Sequence, residues 1–354
     1  MNPRGMMRRI LVAAAVTALP LGPLAAVEPP DSVVAAQRAA LQESTVFHEV
    51  PAVVTPATAA PETKSSDSTA VRGFVSDHVV VVSIDGLRPD AIRKYNTPNL
   101  RRLMAEGSFT MEASTIMPSK TLPSHTSMLT GTEPEQHGVT WNSEEMEEHG
   151  HIATPTIFAA AKQAGFHTAA FFSKTKFEHL AAPGTLDHVE TPSNFLGKRL
   201  ADNTVGQVEK YLKRNTPNLL FVHIGEPDFV GHIAGWMSSP YGWAVEEADD
   251  EVGDLLKAAD KAYGAGNYTV IVTADHGGHG RDHGSDDPRD VTIPWIVWGQ
   301  GVRAGEDLGT GIRTMDTAAT ALWLLGVEPA NAIAGHAVAG AFSTPNGLSA
   351  ATPE

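Results

Sequence analysis

Short apolar runs alternate with helical patterns along most of this 354-residue chain. Four runs rich in β-branched residues have the length of strands, and they lie at residues 78–84, 219–224, 269–273 and 293–298. Helical patterns between them include residues 99–106, which end at a glycine, and residues 245–263. Strands that alternate with helices predict a mostly parallel central sheet covered on both faces, that is, a three-layer α/β sandwich.

The same pattern divides the chain into four segments. Arginines at positions 4, 8 and 9 precede an apolar run at 10–16, and small residues at 25 and 26 end the segment, so residues 1–26 are predicted to be a cleaved signal peptide. An uncleaved anchor is the alternative, but the run is short for a membrane span and is followed by two prolines, so we expect no stable membrane anchor. Residues 27–75 are predicted to be a leader or linker, 76–342 the main folded domain and 343–354 a disordered tail.

Composition and charge narrow the chemistry. The chain has no cysteine, which excludes disulfides, thiolate metal ligands and a cysteine nucleophile, so any metal must be bound by histidines and carboxylates. The formal net charge of −15 argues against a nucleic-acid duplex as the partner, because binding its backbone needs a basic face. An acidic chain can still bind small phosphate compounds if bound cations reverse the local charge.

Acidic residues follow three of the predicted strands. Asp85 comes directly after the first, Asp228 lies shortly after the second, and Asp275 and His276 follow the third. Taken singly, each aspartate is typical of a helix cap or a turn. Taken together they favour a metal site, because open α/β sheets bind their ligands beyond the carboxyl ends of the strands.

Histidines complete this candidate metal site. Asp228 and His232 are four residues apart, so on a helical turn both point the same way and can bind one cation. His276, His279 and His283 lie in a glycine-rich segment at 273–284, where the backbone can approach a metal or an oxyanion closely. Carboxylate oxygens mixed with imidazoles suit zinc best, with manganese or another divalent ion as the alternative.

Thr121 is the candidate nucleophile. Pro123 suits the first turn of a helix, which places Thr121 at a helix N-terminus, where the dipole and free N–H groups favour a phosphate. Alone, Thr121 would be read as an ordinary helix cap. The neighbouring candidate ligands are what indicate a catalytic role.

These motifs resemble the type I phosphodiesterase and nucleotide pyrophosphatase branch of the alkaline phosphatase superfamily. The matching segments occur in the family's order: Ser-Ile-Asp-Gly-Leu-Arg-Pro-Asp at 83–90, Lys-Thr-Leu-Pro-Ser-His at 120–125, Pro-Glu-Gln-His-Gly at 134–138, Glu-Pro-Asp-Phe-Val-Gly-His at 226–232 and Ala-Asp-His-Gly at 274–277. The resemblance implies an alkaline-phosphatase-like catalytic domain at 76–342. It also implies an exported hydrolase of small phosphoric esters with two divalent metal ions, which we expect to be zinc.

The resemblance also implies a role for each site residue. One metal would be held by Asp85, Asp275 and His276, with Thr121 on it as the nucleophile. A second metal would be held by Asp228, His232 and His283, and Asn142 would help to hold a phosphoryl oxygen. In many relatives the last histidine follows a long insertion, whereas here His283 lies only seven positions after His276 (283 minus 276), so His279 competes with His283.

Two lysines leave open the choice between a diester and a doubly charged substrate. Lys174 and Lys176 occupy the place where some phosphomonoesterases and phosphonoacetate hydrolases of the superfamily carry substrate-binding cations. The alternative is a solvated surface, which is the commoner setting for two nearby lysines. If both lysines enter the pocket, they favour a small, doubly charged substrate, as in a phosphomonoesterase or phosphonoacetate hydrolase, over a diester.

Three further readings are less favoured. A sulfatase would carry an arginine that the segment after Thr121 lacks, and a cofactor-independent phosphoglycerate mutase would use serine and need no export. An inactive phosphate-binding protein would have no reason to retain every proposed ligand together with the nucleophile.

Overall fold

The computed structural model describes residues 76–192 and 201–343, with the side chains of 201–203 left aside. The predicted signal peptide, the predicted leader up to residue 75 and the tail from 344 onward lie outside these residues. Among the described residues, no helix has both the length and the apolar composition needed to cross a membrane.

Eight strands form one sheet, in the order β4-β3-β5-β1-β6-β7-β2-β8. Five of the seven neighbouring pairs are parallel, whereas β7 runs antiparallel to both β6 and β2. The strands are β1 Val79–Ile84, β2 Ser108–Ser114, β3 Thr168–Phe171, β4 His188–Glu190, β5 Leu219–Ile224, β6 Thr269–Thr273, β7 Thr292–Gly299 and β8 Glu306–Asp307.

Helices cover the sheet on both faces. The α-helices are α1 Pro89–Lys94, α2 Pro98–Glu106, α3 Thr121–Thr130, α4 Pro134–His137, α5 Met146–His149, α6 Ile157–Gln163, α7 Ala201–Leu212, α8 Glu226–Ala234, α9 Ser239–Tyr263, α10 Pro288–Val291 and α11 Asp316–Leu325; short 3-10 helices span Thr175–Leu180 and Ala339–Ala341. One group, α2, α7 and α9, packs together on one face, and α3, α6 and α11 pack together on the other. The three-layer α/β sandwich with a mostly parallel sheet is therefore confirmed.

The apolar runs become strands because both of their faces are covered. Every residue of β1, β5 and β6 is buried, which is the environment that favours continuous β-branched runs over alternating ones. The predicted bounds of β5 and β6 agree with the structure, and β1 begins one residue later than predicted. These three strands are neighbours, so their carboxyl ends meet at one edge of the sheet.

Strand β7 shows how a proline is accommodated inside the sheet. Pro294 has no N–H to donate, and the pairing of β7 with β2 shifts register opposite it, since Thr110 pairs with Trp295 whereas Ala113 pairs with Ile293. The extra residue on β2 forms a bulge where the missing donor would otherwise break the ladder. The strand thus keeps its buried position despite the proline.

Candidate active site

The three strand-end aspartates meet at the carboxyl edge of β5, β1 and β6. Asp85 follows β1, Asp228 lies in the first turn of α8 after β5, and Asp275 follows β6; all three are buried. The N–H of Asp228 donates to the backbone oxygen of Asp85 (3.0 Å), and the N–H of Gly86 donates to Asp275 Oδ1 (3.1 Å). A Cβ at position 86 would lie 3.0 Å from the Asp228 backbone, so only glycine allows this close approach.

His276 joins the carboxylates of Asp85 and Asp275. Its Nε2 atom lies 3.4 Å from Asp85 Oδ1, 3.2 Å from Asp275 Oδ2 and 3.3 Å from the hydroxyl oxygen of Thr121. The structure thus brings together the four residues predicted for the first metal. The ligand atoms of Asp85, His276 and Asp228 also lie within 4.8 Å of one another, so Asp228 borders both predicted metal positions.

The second group gathers around Asp228. Its Oδ1 atom lies 3.3 Å from His232 Nε2 and 3.5 Å from His283 Nε2, and the three residues could hold one metal ion. The ring of His283 stacks on His276 at 3.6 Å, which places the two groups side by side. The Nδ1–H of His279 donates to Asp290 Oδ1 instead (2.7 Å), so the structure brings His283 rather than His279 to Asp228.

The candidate ligand atoms of the site fit divalent metal ions. Asp85 Oδ1, Asp228 Oδ1 and Asp275 Oδ2 are buried and have no hydrogen-bond partner among the described residues. Buried carboxylate oxygens without a donor are unfavourable unless a cation binds them. Carboxylate oxygens beside imidazole nitrogens are a donor set that zinc and manganese accept.

The carboxylates titrate differently because they are so close. Burial raises the pKa of Asp85, but the Lys174 ammonium and His223 outweigh it and hold this pKa well below its usual value. Burial and the negative charge of Asp85 raise the pKa of Asp275 well above its usual value. A divalent cation would favour the ionised form of Asp275, so metal binding here is expected to release a proton.

Two of the three proposed imidazole ligands are held neutral. Burial, with a smaller contribution from His283, lowers the pKa of His276 to about 3, and burial also lowers the pKa of His283. The Asp228 carboxylate, 3.3 Å away, raises the pKa of His232, whose side chain is 41% exposed. Neutral imidazole is the form that binds metal, so His276 and His283 are ready ligands at neutral pH.

Thr121 is the first residue of α3, with Lys120 as the N-cap, so the helix start predicted from Pro123 is confirmed. The Thr121 side chain is buried yet lines the cleft. A phosphate-binding helix end is expected to have free N–H groups, but the N–H of Leu122 donates to Asn142 Oδ1 (2.9 Å). The expectation of several free N–H groups at this terminus is therefore wrong for Leu122.

The side-chain oxygen of Asn142 is held by two hydrogen bonds. Its Oδ1 accepts from Leu122 N–H and from Lys176 Nζ (3.2 Å), and Lys176 also donates to the Asn142 backbone oxygen (2.7 Å). An amide oxygen that already accepts two hydrogen bonds leaves the Nδ2 group as the donor for a ligand. The residue lines the cleft, where such a donor can hold a phosphoryl oxygen.

Both lysines lie in the cleft rather than on a solvated surface. Lys174 is 8% exposed and makes ion pairs with Asp85 Oδ2 (2.6 Å) and Asp228 Oδ2 (2.7 Å). Burial lowers its pKa, but these carboxylates outweigh burial and raise it above the usual value. Burial and the charge of Lys174 lower the pKa of Lys176 to about 8.

The cleft has a volume of about 190 Å³ and is lined by Thr121, Asn142, Ser173, Lys174, Lys176, Gly225, Asp228, Phe229, His232 and His283.

Sequence reasoning missed residues that support this site. His223 of β5 and Ser173 lie behind Asp85 in one hydrogen-bonded chain, and Trp236 donates to the backbone oxygen of Gly86 (3.0 Å) while its ring contacts His232. The signal for His223 was present, since it is a polar residue inside an otherwise apolar strand. Nothing local marks Ser173 or Trp236.

A model of the type I phosphodiesterase / nucleotide pyrophosphatase family matches residues 79–284. Similar proteins include the bis(5'-adenosyl)-triphosphatase enpp4 of Xenopus laevis, 29% identical over 222 residues (56% of this chain, 46% of that protein). Ectonucleotide pyrophosphatase/phosphodiesterase family member 3 of Rattus norvegicus is 24% identical over 232 residues (60% of this chain, 26% of that protein). The chain thus spans about half or less of the length of these relatives.

Solved structures show the same fold. Murine ectonucleotide pyrophosphatase/phosphodiesterase 5, solved as an inactive variant in complex with AMP, superposes with a TM-score of 0.64 at 18% identity, covering 76% of this chain and 100% of that chain. A 2-O GAG sulfatase superposes with a TM-score of 0.61 at 16% identity, covering 75% of this chain and 74% of that chain. At these identities the likeness concerns the alkaline-phosphatase-like fold.

Proposed function

Because this chain belongs to the type I phosphodiesterase / nucleotide pyrophosphatase family, we propose that it hydrolyses small phosphoric diesters with Thr121 as nucleophile and two divalent metal ions as cofactors. One observation carries the proposal: the Thr121 hydroxyl lies 3.3 Å from His276 Nε2, which also contacts two buried carboxylates. These carboxylates, Asp85 and Asp275, each have one oxygen without a hydrogen-bond donor among the described residues. Such a cluster is suited to cations, and the hydroxyl is placed to react where the cations bind.

The residues that would hold the metals fall into two sets. Asp85, Asp275 and His276 would hold one ion next to Thr121, and Asp228, His232 and His283 would hold the other. When bound, divalent ions at such positions supply charge stabilisation for the phosphoryl and leaving oxygens and lower the pKa of a hydroxyl. Zinc is the ion we propose, on the basis of the mixed oxygen and nitrogen donors.

The side chains of the cleft perform the rest of the reaction. Thr121 Oγ1 forms a bond to phosphorus as the bond to the leaving oxygen breaks, and the hydroxyl proton ends on the leaving alcohol. Water then cleaves the Thr121 ester, releases a phosphoric monoester and restores the hydroxyl. The Asn142 amide nitrogen and the Lys176 ammonium hold the non-bridging oxygens, where negative charge must be stabilised.

We also propose that the enzyme acts outside the cytoplasm, in the secreted, periplasmic or cell-surface compartment. The support is the pattern of residues 1–26, with basic residues, an apolar run and a small-residue end. Relatives named as ectonucleotide pyrophosphatases and venom phosphodiesterases are in keeping with it. Cell fractionation of the full chain, with the N-terminus of the mature protein determined, tests the compartment: a cytoplasmic, full-length protein would contradict it.

Thr121→Ala tests the nucleophile. Hydrolysis of a bis-nitrophenyl phosphate should fall by at least about a thousand-fold, since removal of a nucleophile abolishes the covalent route. Metal content measured by elemental analysis should stay near that of the wild type, and Thr121→Ser should retain part of the activity as the matched control. Turnover in Thr121→Ala within tenfold of the wild type, with metal bound, would show that another group attacks phosphorus.

The second candidate function is hydrolysis of a doubly charged monoester or of phosphonoacetate. The observation that favours it is that two lysines, one buried and one half-buried, line the same cleft, since a dianion gains more than a monoanion from each positive charge. Comparing turnover of the diester, nitrophenyl phosphate and phosphonoacetate on one preparation separates the two. A selective loss of monoester turnover in Lys176→Ala would support the second candidate, and loss of both activities alike would reject it. Metal uptake without any hydrolysis would instead indicate an inactive phosphate-binding protein.

A further inference from the structure

A buried hydrogen-bonded chain links Asp85 to the wall of the cleft. His223 Nε2 lies 3.0 Å from Asp85 Oδ2, and His223 Nδ1 lies 2.6 Å from Ser173 Oγ. Asp85, His223 and Ser173 are each fully buried, and Ser173 also lines the cleft. None of the roles proposed above uses His223 or Ser173.

Each hydrogen bond among these three side chains has one donor and one acceptor that their chemistry determines. A carboxylate only accepts, so the hydrogen between the two side chains resides on His223 Nε2 and is donated to Asp85. A neutral ring then has Nδ1 as an acceptor, and the Ser173 hydroxyl donates to it. The Asp85 carboxylate thus fixes the imidazole tautomer, and the Ser173 hydroxyl supports it by donating to the acceptor nitrogen.

These hydrogen bonds also determine which oxygen of Asp85 remains available to a metal. Oδ2 accepts from His223 and from Lys174, whereas Oδ1 is buried, has no hydrogen-bond partner among the described residues and lies 3.4 Å from His276 Nε2. Since Oδ2 is held by donors on two sides, the carboxylate cannot rotate without losing both. Oδ1 is thereby presented towards the other proposed ligands.

The surroundings hold Ser173 and His223 in place. The ring of His223 meets Phe177 edge-on at 4.5 Å and His125 at 4.9 Å, which prevents it from swinging away. A Cβ at position 225 would lie 2.5 Å from Ser173 Oγ, so a glycine at this position makes room for the hydroxyl. The local sequence is thus built around this hydrogen-bonded chain.

We propose that Ser173 and His223 are positioning residues that orient Asp85 so that its Oδ1 binds the metal next to Thr121. The inference rests on the proposed two-metal function, and it adds that one of the two sites depends on this pair. A partner that holds a metal-binding carboxylate typically contributes about 10- to 100-fold to metal affinity. Asp85 belongs to one ligand set, so the effect should be confined to one site.

The experiment measures zinc binding by the full-length protein in competition with a chromophoric chelator, fitted to two sites. We expect His223→Leu to weaken one site by about 10- to 100-fold and to leave the other nearly unchanged. His223→Gln, which can still donate to Asp85, should recover most of the affinity, and Ser173→Ala should weaken the same site by a smaller factor. Phe177→Leu is the matched control, because it alters the packing against the same ring but removes no hydrogen bond.

Two outcomes would overturn the inference. Unchanged affinity at both sites in His223→Leu and Ser173→Ala, or an equal loss at both sites matched by Phe177→Leu, would show that the pair serves only packing. Circular dichroism of each variant establishes that it is folded, and Ser173→Ala, a small change at the cleft wall, tests the inference if His223→Leu does not fold. A wild-type protein that takes up no zinc would instead reject the proposed two-metal function, and the inference with it.

Discussion

Lys174 is the cation that compensates the acidic site in the absence of metal, and Lys174→Met removes its charge while keeping most of its length. The ammonium lies 2.6 Å from Asp85 Oδ2 and 2.7 Å from Asp228 Oδ2 and is almost fully buried. These carboxylates belong to different proposed metal sets. The substitution therefore leaves the negative charge of both sets without its internal partner.

The magnitude follows from the burial of the ion pair. Removing one partner of a buried pair typically destabilises a protein by about 3–5 kcal/mol, because the remaining charge is uncompensated. We expect this loss for Lys174→Met in a chelator. With zinc bound, the metal ions neutralise the same carboxylates, and the loss should be smaller by at least about 1.4 kcal/mol. By linkage, the variant would then bind zinc at least about tenfold more tightly than the wild type.

Urea unfolding of both proteins, once with EDTA and once with excess zinc, measures the two free-energy differences. Lys162→Met is the matched control, since Lys162 pairs with Asp187 while remaining 39% exposed, and it should change the stability by less than about 1 kcal/mol in either condition. An equal loss for Lys174→Met with and without zinc would refute the reasoning, because it would mean that the lysine and the metal do not neutralise the same charges.

Three further outcomes are expected. Gly225→Ala places a Cβ 2.5 Å from Ser173 Oγ and should destabilise the protein by about 1–3 kcal/mol in urea unfolding; unchanged stability would contradict this crowding. The pKa of Lys176 is lowered to about 8, so its charge is lost as the pH rises through 8. The wild-type KM for nitrophenyl phosphate should therefore increase above pH 8, whereas Lys176→Arg should show a flat profile up to about pH 9.5; identical profiles would exclude Lys176 as the titrating group. Trp236→Phe loses the hydrogen bond to the Gly86 oxygen and should cost about 1 kcal/mol in the same unfolding assay, and a variant as stable as the wild type would show that this bond contributes nothing.

The sequence by itself determined four of the eight strands and the site residues that follow three of them. Runs such as 219–224 and 269–273 carry a local signal, since β-branched residues in an unbroken apolar run are typical of strands buried on both faces. Asp85 follows such a run directly and Asp275 follows one after a single alanine, so the parallel arrangement alone predicted that they would meet. The position of Thr121 at a helix start was also predictable from local sequence, because a proline in the first turn marks a helix start within a few residues.

Only the tertiary structure decided which side chains face the cleft. From the sequence, Lys174 could be either a substrate-binding cation or a solvated residue. In the structure it reaches Asp85 and Asp228, which lie 89 (174 minus 85) and 54 (228 minus 174) positions away. The choice of His283 over His279 depends on Asp290, which binds His279. Such contacts depend on the order of the strands and on the path of the loops between them, and no local periodicity encodes either. The chain of Ser173 and His223 behind Asp85 is of this kind, since three distant segments must fold before it exists.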